Sequence, residues 1–193
     1  MAGIAHGGST GCAWTEAGAV ACWGRNLFGD ASMGQTPPSA DAITVPTLAD
    51  VIQVTLGISH GCALHRGGAV SCWGRDGIDP TGAPHLTPTR VDGLTGVMRL
   101  EAGRAATFAI RDDGSLWAWG NNGTGLFGDG TYASRTTPAA VPDLRGVVAV
   151  SIGDAHACAV LSDGRVACWG SNASGQLGLG EDPTHAIPSP VRW

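Results

Sequence analysis

Four Trp-Gly pairs recur along this chain of 193 residues, at Trp23-Gly24, Trp73-Gly74, Trp119-Gly120 and Trp169-Gly170, spaced 50, 46 and 50 residues apart. Self-similarity at that period is the mark of a repeat architecture, in which one supersecondary unit is stacked on copies of itself. Two further columns keep the register. Gly7, Gly57, Gly103 and Gly153 stand 16 residues before each tryptophan, and Gly18, Gly68, Gly114 and Gly164 stand five before. The copies run approximately over residues 1–49, 50–95, 96–145 and 146–193 of a single repeat domain.

Each unit reads as four short strands, none of helical length. The first is an apolar stretch such as Val51-Ile52-Gln53-Val54 or Val147-Val148-Ala149-Val150; the second is Cys158 to Leu161 and the third Arg165 to Trp169 in the last copy. The fourth is centred on Val45, Val91, Val141 or Val191, each near a proline. The turn between second and third strands has three residues, such as Ser162-Asp163-Gly164, with glycine last in every copy. That is the place in such a hairpin where positive φ is needed. Thirty-one glycines and eleven prolines supply the turns, and seven tryptophans require a packed interior, which argues against disorder. The fold class is therefore all-β: β-propeller blades of four antiparallel strands, which leave only short edges when they stack.

The best-formed copy runs Gly153-Asp154-Ala155-His156-Ala157-Cys158-Ala159-Val160, then Asp163-Gly164, then Cys168-Trp169-Gly170-Ser171-Asn172-Ala173-Ser174-Gly175-Gln176-Leu177-Gly178. This pattern resembles the regulator of chromosome condensation repeat family, in a bacterial-type Cys-Ala-Leu…Cys-Trp-Gly form, over essentially the whole chain. The resemblance implies seven-bladed rings with a rotation of roughly 50° per blade, so four blades span only about 200°. An open arc is expected, as a fragment of a longer ring or as half of a two-chain ring; a small closed ring of four splayed blades is the alternative. In the first copy most of the first strand is missing, and the last copy stops at Trp193 within its fourth. The second copy is four residues short between Arg75 and Arg90 and carries Asp79-Pro80-Thr81-Gly82 in place of Gly-Gln-Leu-Gly.

Six cysteines form three pairs placed symmetrically about the hairpin turn: Cys12 with Cys22, Cys62 with Cys72, Cys158 with Cys168. Cross-strand neighbours can lie within disulfide reach, and the third copy replaces both members together, by Phe108 and Ala118. Structural disulfides would place the protein in an extracytoplasmic or secreted setting. The alternative is that reduced cysteines act as small hydrophobes. The N-terminus has no signal-peptide pattern, so an export signal would have to lie upstream.

Chemistry-bearing motifs are sparse. His60 and His156 share one repeat column, which suits a structural histidine better than a catalytic one, and the zinc-type cysteine spacing is missing. Asp112-Asp113 and Glu181-Asp182 read as solvated turn carboxylates. Gly123-Thr124-Gly125 and Gly175-Gln176-Leu177-Gly178 lack the lysine of a phosphate loop. No catalytic, cofactor or metal site is expected. A net charge of −5, with eleven arginines and no lysine, argues against nucleic acid, and no apolar stretch is long enough for a membrane helix.

The expected function is a non-catalytic scaffold that binds another protein through variable loops on one face. Candidate contacts are the residues following each Trp-Gly: Arg25, Asn26, Leu27 and Phe28; Arg75, Asp76 and Ile78; Asn121, Asn122 and Phe127. Leu27-Phe28 and Leu126-Phe127 serve equally well as loop cores. The resemblance implies such platforms, among them a secreted bacterial inhibitor that caps a β-lactamase. It also implies, as a second reading, guanine-nucleotide exchange, which would require an inserted wedge and a basic face. A propeller enzyme is the third reading. The uncovered end blades are an expected surface for self-association.

Overall fold

Pairing across the three-residue turn builds each unit outward from its central hairpin. In a computed structural model that describes residues 2–26, 38–75, 83–180 and 182–191, the described strands form four separate antiparallel sheets of four. The first contains β1 (Gly3–Gly7), β2 (Thr10–Trp14), β3 (Val20–Gly24) and β4 (Ser39–Thr44). The second contains β5 (Val51–Leu56), β6 (His60–His65), β7 (Val70–Gly74) and β8 (His85–Arg90). The third contains β9 (Val97–Ala102), β10 (Ala106–Arg111), β11 (Leu116–Gly120) and β12 (Arg135–Ala140), and the fourth β13 (Val147–Ile152), β14 (His156–Leu161), β15 (Val166–Ser171) and β16 (Thr184–Pro190). Strand order within each sheet follows the chain. Successive sheets pack through their inner strands as propeller blades in an arc that does not close, so the small closed ring is not what forms.

The turn glycines behave as their column requires. Gly18, Gly68, Gly114 and Gly164 have φ of 85°, 80°, 72° and 87°. In the first three, an added Cβ would also come within 3.0 Å of the next blade's backbone. Their carbonyls accept the N–H groups of Val51 (3.2 Å), Val97 (3.3 Å) and Val147 (2.9 Å) at the start of the next blade. One residue type thus closes the hairpin and lets the neighbouring blade approach.

The core lies in the seams between blades. Cys12, Trp14, Val20 and Cys22 of the first blade pack on Val54, Leu56, Ala63 and Trp73 of the second. Cys62, Leu64, Val70 and Cys72 pack on Leu100, Ala109 and Trp119 of the third. Phe108, Ile110, Leu116 and Ala118 pack on Val150, Ala159 and Trp169 of the fourth. Every seam therefore joins two unlike faces: a cystine or Phe-Ala face on the leading blade, and an Ala-Trp face on the following one.

The three cysteine pairs are disulfides, each joining directly opposed residues with Cα atoms 4.1 Å apart. Phe108 stands opposite Ala118 in the same register and meets Trp169 at a ring-centroid distance of 6.3 Å. Polar clamps supplement the apolar seam between the second and third blades. Gln53 donates to the Leu100 carbonyl (2.9 Å) and accepts from its N–H (3.0 Å), Thr55 accepts from Ala102 (2.9 Å), and His60 Nε2 meets Thr107 Oγ1 (3.0 Å). The His60 column is thus structural at this copy.

Two expectations need correction. The first copy does have its inner strand: Gly3-Ile4-Ala5-His6-Gly7 pairs with Thr10–Trp14, because the partner strand supplies the ladder that this weakly apolar stretch does not announce. The fourth strands end just before Val45, Val91, Val141 and Val191 instead of being centred on them. The first three of these valines are buried anchors beyond the strand, and all four donate their N–H back to the third strand, at Val20, Val70, Leu116 and Val166 respectively.

Candidate partner-binding rim

The chain leaves each third strand through the Trp-Gly glycine. Gly24, Gly74, Gly120 and Gly170 have φ of 99°, 81°, 102° and 99°, and a Cβ there would strike the carbonyl oxygen of Ser9, Ser59, Ala105 or Ala155 at 2.2 to 2.5 Å. The residue after each glycine, Arg25, Arg75, Asn121 or Ser171, donates its N–H to that same carbonyl at 2.7 to 2.9 Å. These bonds turn the described chain out of every third strand in the same way, and in the third and fourth blades it continues into a described loop on one rim of the arc.

The third- and fourth-blade loops share an internal frame built on an asparagine. Asn122 Oδ1 accepts the Phe127 N–H (2.7 Å) and its amide donates to the Thr131 carbonyl (2.9 Å). Asn172 does the same with the Leu177 N–H (3.0 Å) and the Gly180 and Asp182 carbonyls (both 2.8 Å). Two turns follow in each, through Gly125 and Gly128 or Gly175 and Gly178, all at positive φ. Leu126, Phe127 and Leu177 fill the space beneath, and Trp169 Nε1 donates to the Leu126 carbonyl (2.6 Å), pinning the third loop to the fourth blade.

An ion pair locks the far side of the third loop. Arg135 binds Asp129 at 2.6 Å, donates to the Ala118 and Ala139 carbonyls, and stacks 4.3 Å from the Phe127 ring centroid. Burial works against the Asp129 carboxylate, but hydrogen bonds from Thr131 and the Arg135 charge outweigh it, so its carboxyl lies below the ordinary aspartate value. Asp113 is likewise held low, first by the Ser115 hydroxyl and then by the Ser115 N–H, as a carboxylate closing a hairpin turn.

This geometry sorts the sequence-derived candidates. Arg25, Arg75 and Asn121 are exposed on the rim. Asn26, Asn122 and Phe127 are buried and do not present their side chains to a partner. At Asn122 the cause is simple, because a short polar amide after a tight turn is used to satisfy loop backbone rather than solvent, and Phe127 is the apolar residue packed beneath that loop. Leu27, Phe28, Asp76 and Ile78 lie outside the described residues, as do Asp79, Pro80, Thr81, Gly82, Glu181 and Trp193.

Sequence reasoning missed Tyr132 and Ile187, which are 54% and 59% exposed. They lie on either side of a contact between the third loop and β16, where Gly130 donates to the Ala186 carbonyl (2.8 Å). Neither occupies a repeat column, so only the fold brings them together. Among the described residues no group of three or more His, Cys, Asp or Glu is placed to share a metal ion, and no helix is long and apolar enough to cross a membrane.

Comparison with known proteins agrees with this architecture. Prp20p from Saccharomyces cerevisiae, studied for its binding properties to Gsp1p and histones, superposes with a TM-score of 0.88 at 19% identity, over 99% of this chain and 50% of that one. Yeast RCC1 (Prp20) bound to Kap60 gives 0.86 at 20%, over 99% and 48%. Human WBSCR16 gives 0.85 at 21%, over 99% and 52%. The chain thus spans about half the length of the solved structures it matches, and the likeness is one of fold. No curated protein matches it by sequence. Models of the regulator of chromosome condensation (RCC1) repeat match residues 51–77, 99–125 and 147–176, and in a second form residues 113–160 and 163–193. The chain belongs to the regulator of chromosome condensation (RCC1) repeat family.

Proposed function

We propose that this chain is a non-catalytic platform that binds another protein through the rim loops that follow each Trp-Gly. One observation carries the reading: the third and fourth loops spend their asparagine, glycine and leucine or phenylalanine residues on an internal frame, which leaves the outward residues free to differ from blade to blade. Asn121, Tyr132 and Ile187 project from that frame, and Arg25 and Arg75 extend the rim. Exposed tyrosine and arginine are residue types that protein interfaces favour, and Ile187 adds apolar area beside the tyrosine. The protein-binding subjects of the yeast structures, Gsp1p, histones and Kap60, support the same class of function. The three disulfides are compatible with an oxidising, extracellular location, which we propose for this chain.

The experiment is affinity capture from the native source with the wild-type chain and with a Tyr132→Ala, Ile187→Ser variant. A single partner retained in stoichiometric amount by the first and lost by the second is expected. Equal retention by both would refute the rim as the site, and turnover of a small-molecule substrate by the isolated chain would refute the non-catalytic reading.

A further inference from the structure

The internal seams are all of one kind, and the two ends of the arc hold one unmatched half each. On the first blade, Ile4 stands in the column of Val54, Leu100 and Val150, which are buried against the preceding blade, yet Ile4 is 67% exposed. Ala13 and Trp23 likewise correspond to the seam residues Ala63 and Trp73, and they help to line an open apolar concavity of about 610 Å³. On the last blade, Val160 stands in the column of Trp14, Leu64 and Ile110, all buried in seams, and is 40% exposed. Val166 opposite it and Cys158 of the adjoining disulfide are only half-buried. Gly164, whose counterparts accept an N–H from the following blade, has open space around its Cβ position.

We propose that these two faces mate between two copies of the chain, the last blade of each against the first blade of the other, in a closed head-to-tail pair. The joint continues an interface the molecule already forms three times, twice with a cystine face and once with a Phe-Ala face set on an Ala-Trp face, so no new kind of packing is required. Apolar surface is offered at both ends, where exposed sheet faces favour association. Closing eight blades requires about 45° per blade, within the known range of propellers and about 6° less than in a seven-bladed ring. A closed pair uses both joints identically, as two-fold symmetry demands.

Light scattering and sedimentation of the 193-residue chain without reductant, from about 1 to about 100 μM, test this directly. A mass twice the 19.5 kDa of the chain is expected. Ile4→Glu and Val160→Glu each place a charge in both joints and should weaken the pair at least about tenfold. An equimolar mixture of the two variants restores one intact joint and should re-form a pair more tightly than either alone. Both sites are exposed in a single copy, so circular dichroism of each variant should match wild type, and its thermal unfolding should match that of wild type diluted until it dissociates. A monomer at every concentration, a pair indifferent to both substitutions, or variants that fail to complement one another would each overturn the proposal.

Discussion

Replacing Phe108 and Ala118 by two cysteines should restore the seam chemistry of the other blades. Phe108 is fully buried and packs on Trp169 where Cys12–Cys22 packs on Trp73. Truncation by Phe108→Ala removes most of a buried ring and should cost about 3–5 kcal/mol. In a domain of this size that lowers the thermal midpoint by on the order of 10 °C. The double variant Phe108→Cys, Ala118→Cys places two thiols at directly opposed residues in the register that is bridged three times elsewhere. The new bridge would have the same sequence separation of 10. Closing so short a loop contributes about 2.5–3 kcal/mol in the chain-entropy account. The oxidised double variant should therefore recover most of what Phe108→Ala loses. Calorimetry under non-reducing conditions, with intact mass to count the two hydrogens lost, measures both quantities. A bridge that forms without recovering stability, or thiols that stay free in oxidising buffer, would refute the idea that the Phe-Ala pair substitutes for a cystine.

Limited reduction by a phosphine of the chain diluted until it is monomeric, followed by alkylation and peptide mapping, should modify Cys158 and Cys168 first, because Cys12, Cys22, Cys62 and Cys72 are fully buried in seams; simultaneous modification of all three pairs would contradict that ordering. Gly120→Ala combines positive φ with a Cβ 2.5 Å from the Ala105 carbonyl and should cost at least about 2 kcal/mol in urea unfolding, whereas Gly164→Ala in the monomeric chain meets only the φ penalty and should cost about 1 kcal/mol. Asp129 has a folded pKa below its unfolded one, so its contribution to stability is complete above the unfolded value and is lost as the pH falls through the folded one. Protection of the amides in residues 122–135, taken relative to their intrinsic exchange rates at each pH, should fall below about pH 4 in wild type, and Asp129→Asn should remove that dependence. An unchanged acid response in the variant would assign the effect to another carboxylate.

The sequence made the architecture legible because structural need fell on fixed columns. The hairpin glycines, the Trp-Gly glycines and the cystine positions each answer a backbone or packing requirement that repeats with every blade. What escaped was decided by pairing rather than by residue type. Gly3–Gly7 is a strand because Thr10–Trp14 is there to receive it. The rim was less legible for the opposite reason. Asn26 and Asn122 look like surface residues in a linear reading, but both are buried, and the Asn122 amide faces inward to a loop carbonyl and N–H group. Tyr132 and Ile187 are 55 positions apart in the chain and share a surface only once the third loop rests on β16.

Because each seam joins unlike faces, the stack has a direction, like threaded couplings with one male and one female end. Removing an interior blade, for instance residues 96–145, would bring a cystine face against an Ala-Trp face again and leave the grammar of the array intact. Reversing a blade would not. The unit of change open to such a molecule is therefore a whole blade added or lost in register, while its rim loops remain free to vary without disturbing the joints beneath them.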